Sequence, residues 1–98
     1  MREIISINEG LVELNGYLTS ANVSEVQKNL EELIDQNSIL TLDITKLKKL
    51  DSVGVFMLLI LKRNAENFGK NVFIVAAENE VVLKAIEESG MQKILDAV

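Results

Sequence analysis

The chain has 98 residues, of which 48% are hydrophobic and only 4% aromatic, and its formal net charge is −5. It contains no Cys, His, Trp or Pro, which excludes disulfides, thiol nucleophiles, histidine bases and the usual zinc sites. An acidic chain without a basic run neutralises few phosphates, so we expect no nucleic-acid binding. The length suits a single domain over residues 1–98, with a core mainly of Leu, Ile and Val.

The first part of the chain predicts a hairpin followed by a helix. Two short apolar runs, 3–7 and 11–14, flank the turn signal Asn8-Glu9-Gly10 and predict two paired strands. Residues 17–21 lead into a helix, in which Asn22 and Glu25 have the spacing of a capping box. The helix ends near residues 36–38, and its apolar positions are Val23, Val26, Leu30, Leu33 and Ile34.

The middle of the chain predicts a buried strand and a very apolar helix. Residues 39–44 are typical of a central parallel strand covered on both faces, with Ile39 buried, and 45–50 form a loop. A second helix runs from Ser52 to Asn67 and stops at Gly69. Its predicted core face consists of Val53, Phe56, Met57, Ile60, Ala65 and Phe68. Its remaining apolar residues, which indicate burial on two sides or exposure to a partner, are Val55, Leu58, Leu59 and Leu61.

The last part of the chain adds a strand and two helices. Residues 72–76 predict another buried strand, and Glu78-Asn79-Glu80 open a third helix that ends at Gly90. The third helix turns Val82, Ala85, Ile86 and Ser89 inward, and a short terminal helix packs through Met91, Ile94, Leu95 and Val98. The alternation predicts an α/β sandwich: a mixed four- to five-stranded sheet with an N-terminal hairpin, packed by three to four helices. Its longest apolar run is too short to cross a membrane, so we expect a cytoplasmic protein.

The turn Asp51-Ser52-Val53-Gly54 is the main candidate site. Asp and Ser are good helix N-cap residues, and the turn places a hydroxyl at the positive end of the second helix. Ser52 has no His, Cys or suitably spaced Lys partner, so we expect no catalytic residue and no enzyme. For Asp43 and Asp51, structural roles are favoured over a magnesium site, and we expect no metal or cofactor. A phosphate on Ser52 would meet free backbone donors, but a simple cap is the favoured alternative.

Three segments resemble the STAS domain family, the fold of bacterial anti-sigma factor antagonists. Leu-Val-Glu-Leu-Asn-Gly-Tyr-Leu at 11–18 resembles the family's second strand. Leu42-Asp43-Ile44 with the sequence at 50–55 resembles its central strand and Asp-Ser-Ser-Gly-Leu helix start, and 88–91 resembles its Ser-Gly-Leu. The resemblance implies a non-enzymatic regulator. Such proteins bind an anti-sigma factor that is also a serine kinase, until the serine that starts the second helix is phosphorylated.

The chain departs from that pattern at three places. Val53 stands where the family has its phosphorylated serine, which leaves Ser52 as the phosphoacceptor candidate. Thr19 stands where the family often has Asp, and Phe56 and Ile60 replace small residues. These bulky side chains fit a changed partner, self-association or a thicker core equally well.

We therefore predict a partner surface at the turn and the start of the second helix, which binds an anti-sigma factor or a related serine kinase. The first alternative is a constitutive scaffold or assembly subunit, for example in a signalling or transport complex, without phosphorylation. A nucleotide or small-ligand module is the second alternative, and homodimer formation stays open. The predicted partner-binding residues are Asp51, Ser52, Val53, Gly54, Val55, Leu58, Leu59 and Thr19.

Overall fold

The computed structural model describes residues 4–95 and confirms the predicted α/β architecture with an N-terminal hairpin. The strands are β1 (Ile4–Asn8), β2 (Leu11–Leu14), β3 (Gly16–Leu18), β4 (Ile39–Asp43), β5 (Leu47–Leu50) and β6 (Asn71–Val75). The helices are α1 (Val23–Gln36), α2 (Ser52–Asn67) and α3 (Glu80–Glu88), followed by a short 3₁₀ turn (Gln92–Ile94). The predicted positions Glu3 and Val98 lie outside the described residues.

The main sheet has the strand order β1-β2-β4-β6. β1 and β2 form the predicted antiparallel hairpin, while β2, β4 and β6 are parallel neighbours joined through helices. Gly10 sits in the hairpin turn with φ +83°, a left-handed conformation that glycine adopts without a Cβ clash. The N–H of Thr41 donates to the Gly10 carbonyl at 2.7 Å, so the turn is also tied to β4.

A second, two-stranded sheet forms where the sequence predicted only a loop. β3 and β5 pair in parallel, and Leu18 and Leu47 from these strands are buried. The prediction of a loop over 45–50 is therefore wrong. The strands have only three and four residues, and Lys48 and Lys49 are exposed, so β5 shows no clear alternation of apolar and polar residues.

The helices cover one face of the main sheet and leave the other face partly open. Side chains that alternate along the strands are buried on the helix face: Val12, Leu14, Leu40, Leu42, Val72 and Ile74. The intervening positions are more exposed, and Ile39 is 56% exposed. The expectation that β4 is covered on both faces, with Ile39 buried, is thus wrong. Both crossover helices lie on the same side, so every second side chain of β4 faces outward.

α2 has the predicted bounds, but of its predicted core face only Met57 and Ala65 are buried. Val53, Phe56 and Phe68, assigned to the core from the sequence, are 44%, 51% and 81% exposed. The residues that are buried are Gly54, Val55, Met57, Leu58, Leu61 and Ala65. Because the first three turns are apolar nearly all round, the sequence gives almost no information on which side faces the sheet.

The other two helices are oriented as predicted. α1 buries Val26, Leu30 and Ile34, and α3 buries Val82 and Ile86. Asn79 caps α3 by accepting the N–H of Val82, and its amide donates to the carbonyls of Thr45 and Leu47. α3 is thereby fixed to β5 and the loop before it.

Candidate functional site

Asp51 joins two loops at the start of α2. One carboxylate oxygen, Oδ1, accepts the N–H of Gly54 at 2.9 Å, which is the predicted N-cap bond. The other, Oδ2, accepts the N–H of Ser20 at 3.0 Å, and the N–H of Asp51 itself donates to the carbonyl of Leu18. Asp51 therefore fixes the α2 turn (residues 51–54) against the β3–α1 loop (residues 19–22).

Asn22 holds the β3–α1 loop from within. Its amide donates to the carbonyl of Tyr17 at 2.9 Å, and its Oδ1 accepts the N–H of Thr19 at 3.0 Å. Asn22 is 7% exposed and makes no side-chain cap bond to α1, so the predicted capping box is wrong. The oxygen of the Thr19 hydroxyl accepts the N–H of Ala21, which gives Thr19 a role inside the loop.

Gly54 permits the close approach of the loop to the helix. A Cβ on Gly54 would lie 2.5 Å from the carbonyl oxygen of Leu18 and 3.0 Å from side-chain atoms of Leu18 and Leu50. No other residue fits at this position without moving the backbone of β3. The close approach depends on the fold, although a glycine in the first turn of a helix was visible in the sequence.

Ser52 is the exposed first residue of α2 and borders an open groove between α2 and α3. Lys84, Glu88 and Ser89 line the α3 side of this groove. Lys84 is exposed, and the hydroxyl of Ser89 donates to the carbonyl of Ala85. The hydroxyl of Ser52 is thus accessible from solvent, and an ammonium group borders the same groove.

The exposed part of α2 carries an apolar stripe next to the turn. Val53, Phe56 and Ile60, called here the α2 stripe, follow helical spacing along one side, with Ile60 half-buried. Of the predicted partner residues, Val55 and Leu58 are 0% exposed. They lie in the core because their side of α2 packs on the sheet, so they offer no surface to a partner.

The remaining predicted partner residues are divided between surface and interior. Asp51, Ser52, Val53 and Thr19 are exposed or half-buried around the turn, and the structure brings them together. Gly54 is buried, and Leu59 is half-buried against the core. Gly54, Val55 and Leu58 therefore lie in the interior of the domain and not on its surface. The sequence did not predict a site role for Ser20, because its bond to Asp51 joins two loops that are distant in sequence. Asn22 was predicted to cap α1, whereas its side chain bonds to Tyr17 and Thr19 within the loop.

The carboxylates near the site accept hydrogen bonds from backbone N–H groups. Asp43 accepts the N–H of Thr45 at 2.9 Å, and both oxygens of Asp51 hold backbone N–H groups. Within residues 4–95, no group of three or more Asp and Glu side chains is placed to hold a metal ion. No helix in that part of the chain has the length and apolar character needed to cross a membrane.

Comparisons with known proteins place the chain among STAS domains. The family described as "Mlab, STAS domain" matches residues 2–96. An anti-sigma factor antagonist from Mycobacterium paratuberculosis is 16% identical with a TM-score of 0.77; the alignment covers 96% of this chain and 80% of that one. The unphosphorylated anti-sigma factor antagonist SpoIIAA is 19% identical with a TM-score of 0.70, covering 97% and 85%.

The phosphorylated form of the Bacillus cell fate determinant SpoIIAA is also similar. It is 18% identical, with a TM-score of 0.63, and the alignment covers 97% of this chain and 88% of that chain. At this level of identity the solved structures establish a shared fold. A search of curated proteins gives no significant match to the chain.

Proposed function

The chain belongs to the STAS domain family, and on that premise we propose that it is a non-enzymatic, cytoplasmic bacterial regulator of the anti-sigma factor antagonist type. Its partner is an anti-sigma factor or a related serine kinase, bound through the α2 turn and the α2 stripe. The observation that carries the proposal is the exposure of Ser52, Val53 and Phe56 beside a turn fixed by Asp51. Exposed apolar side chains on a preorganised element are typical of a binding surface.

Ser52 is the proposed phosphoacceptor of this surface. It is exposed, it starts α2, and Lys84 lines the same groove. A phosphate adds about −1.5 to −2 charges, which the helix N-terminus and a nearby cation both favour. Asp51 and Glu88, which lines the same groove, oppose it, although the carboxylate of Asp51 is engaged with two backbone N–H groups. The charge would stand next to Val53 and weaken the apolar contact with the partner.

One observation favours the alternative of a constitutive scaffold. Val53 occupies the position where antagonists of this family carry the serine, and it is 44% exposed and continuous with Phe56. The matched family description names Mlab, and an apolar turn suits permanent contact better than a reversible switch. Under this alternative, Ser52 serves only as part of the helix start.

The binding surface is tested with Phe56→Glu and its matched control Phe68→Glu. Both phenylalanines are exposed, but Phe56 is on the first turns of α2, whereas Phe68 directly follows the far end of the helix. Calorimetric titration against anti-sigma factors from the same genome should show that Phe56→Glu weakens binding about thirtyfold, as loss of an aromatic anchor does. Phe68→Glu should bind like the unmodified chain. Equal affinities for both variants would reject the surface.

The switch is tested by incubation with the candidate kinase and ATP, followed by mass spectrometry of the intact chain and its peptides. We expect one phosphate on Ser52 and none on the Ser52→Ala variant. Ser52→Asp should then weaken partner binding. If no phosphate is added and Ser52→Asp binds normally while Phe56→Glu does not, the scaffold function is supported instead.

A further inference from the structure

The last turns of α1 and α2 border a groove at the opposite end of α2 from the α2 turn. This α1–α2 groove encloses about 300 Å³, at the lower limit of pockets that hold small ligands. Its floor is apolar, because the buried side chains of Ile34, Leu61 and Ala65 line it. The groove is therefore a concave surface separate from the one that Ser52 borders.

The α1 wall of the groove carries two carboxylates without an ionic partner. Glu31 and Asp35 both line the groove, lie one helical turn apart and are exposed. Within residues 4–95, neither of them forms an ion pair. Like charges at this spacing destabilise a helix, and α1 has no basic residue in its last turn to offset them. A cation bound between the two carboxylates would remove this repulsion.

Lys70 also lines the groove, but its ammonium group is bound to main-chain oxygens rather than to these carboxylates. It donates to the carbonyls of Ile34 and Asp35 at 2.8 and 3.0 Å, so it is held at the carboxyl end of the α1 backbone. Two carboxylates and one ammonium leave the lining with a net charge of −1. The groove therefore favours a cation over an anion.

An exposed aromatic ring borders the groove on the α2 side. Phe68 directly follows α2, lines the groove and is 81% exposed, more than any other large hydrophobic residue in the described part of the chain. The faces of aromatic rings attract organic cations. Carboxylates, an aromatic ring and an apolar floor together favour a cation that has an alkyl body.

We propose that the α1–α2 groove binds a small, free alkylguanidinium ion. A guanidinium group is planar and weakly hydrated, stacks on aromatic rings and has donors enough to reach two carboxylates at once. In the groove it lies against Phe68 and donates to Glu31 and Asp35, while the alkyl chain covers the floor. A metal ion fits less well, since no third acidic side chain joins the pair among residues 4–95. A volume of about 300 Å³ is also too small for a protein segment.

Butylguanidinium and butylurea test the charge, because they have nearly the same shape and only the first is a cation. In an NMR titration of the isotope-labelled chain, butylguanidinium should shift the amides of residues 31–36 and 64–70. Its dissociation constant should be roughly millimolar, as expected for so small a ligand. Butylurea should bind about fivefold more weakly or less tightly still, since it forms no ion pair with either carboxylate.

Glu31→Gln and Glu32→Gln separate the groove from the overall charge. Each removes one negative charge from an exposed position of α1, but Glu32 borders a different groove toward β1. Glu31→Gln should raise the dissociation constant for butylguanidinium about two- to fivefold, whereas Glu32→Gln should leave it nearly unchanged. Phe68→Leu keeps an apolar side chain without an aromatic face, and it should also raise the constant about two- to fivefold. The amide spectrum of each variant shows whether it is folded.

Four results would overturn this binding site: shifts that do not saturate, shifts outside 31–36 and 64–70, equal affinity for butylurea and butylguanidinium, or equal effects of Glu31→Gln and Glu32→Gln. Unchanged affinity in Phe68→Leu would also overturn it, because the cation is placed against that ring. None of these measurements involves the anti-sigma factor or the α2 turn. Their failure therefore leaves the proposed function untouched.

Discussion

Asp51 uses its two carboxylate oxygens for two different tasks. Oδ1 caps α2 through Gly54, and Oδ2 reaches Ser20, 31 positions earlier in the chain. The first task is local and follows from the residue type, whereas the second exists only because β3 and α2 are neighbours. Asp51 thus both fixes the exposed turn against its neighbouring loop and contributes to the stability of the fold.

The two tasks of Asp51 can be separated by substitution. Asp51→Ala removes both bonds and should lower the free energy of unfolding by about 2 kcal/mol, measured by urea denaturation. Asp51→Asn keeps an oxygen for the cap but loses the acceptor for the N–H of Ser20. Its free energy of unfolding should therefore fall by about half as much as that of Asp51→Ala. If Asp51→Asn were as stable as the unmodified chain, the bond to Ser20 would contribute nothing to stability.

Gly54 shows a conflict between helix propensity and packing. Alanine is the better helix former by about 1 kcal/mol, yet its Cβ would lie 2.5 Å from the carbonyl oxygen of Leu18. We expect Gly54→Ala to be destabilised by about 1–3 kcal/mol, because the backbone of β3 must move. Ser24→Ala, an exposed position on α1, is the control and should be neutral or slightly stabilising in the same thermal melts. A more stable Gly54→Ala chain would contradict the close approach.

At the scale of elements, α2 shows how an apolar helix chooses its buried face. Leu58 lies against the sheet with 0% exposure, and Phe56, two residues earlier, points largely into solvent. Both are large and apolar, so neither side chain alone determines the orientation. The helix turns so that Gly54 meets Leu18, since only that side of the first turn lets the β3 backbone approach.

The orientation of α2 gives a direct mutational contrast. Leu58→Ala should lower the free energy of unfolding by about 2–5 kcal/mol, as expected for a buried leucine that leaves a cavity. Phe56→Ala should lower the free energy of unfolding by less than about 1 kcal/mol, because about half of the Phe56 side chain is already exposed to solvent. Chemical denaturation of both variants measures the difference. Similar losses would mean that Phe56 is packed as the sequence pattern predicted.

At the scale of the whole molecule, the one-sided packing of helices divides the sheet into a stable centre and weaker edges. β4 has a strand on both sides, whereas β1 has only β2 beside it in the described residues. The core of the domain lies between this sheet and the helices, with Leu40, Leu42 and Ile74 at the centre. Stability should therefore decrease from β4 toward β1.

Amide hydrogen exchange tests this gradient. In a dilute, monomeric sample, the amides of β4 should exchange slowest, near the rate set by global unfolding, and those on the outer side of β1 should exchange much faster. Mass spectrometry of peptides covering 4–10 and 38–44 gives the comparison. Equal protection of the two peptides in dilute solution would contradict a weak edge at β1.

Local chemistry alone determined much of this molecule. Hydrophobic spacing fixed the buried faces of α1 and α3, and the turn residues located the hairpin and both ends of α2. The three segments at 11–18, 42–55 and 88–91 together indicated the family, because each is defined by residue types at short spacing. In all these cases the deciding contacts lie within a few residues of each other.

The tertiary structure alone decided the rest. The second sheet of β3 and β5, the bond from Asp51 to Ser20 and the exposure of Ile39 all depend on segments distant in sequence. The buried side of α2 belongs with them, since a helix that is apolar nearly all round carries no periodic signal. Which residues of the turn and of α2 are exposed was therefore settled by packing against the sheet, and not by their hydrophobicity.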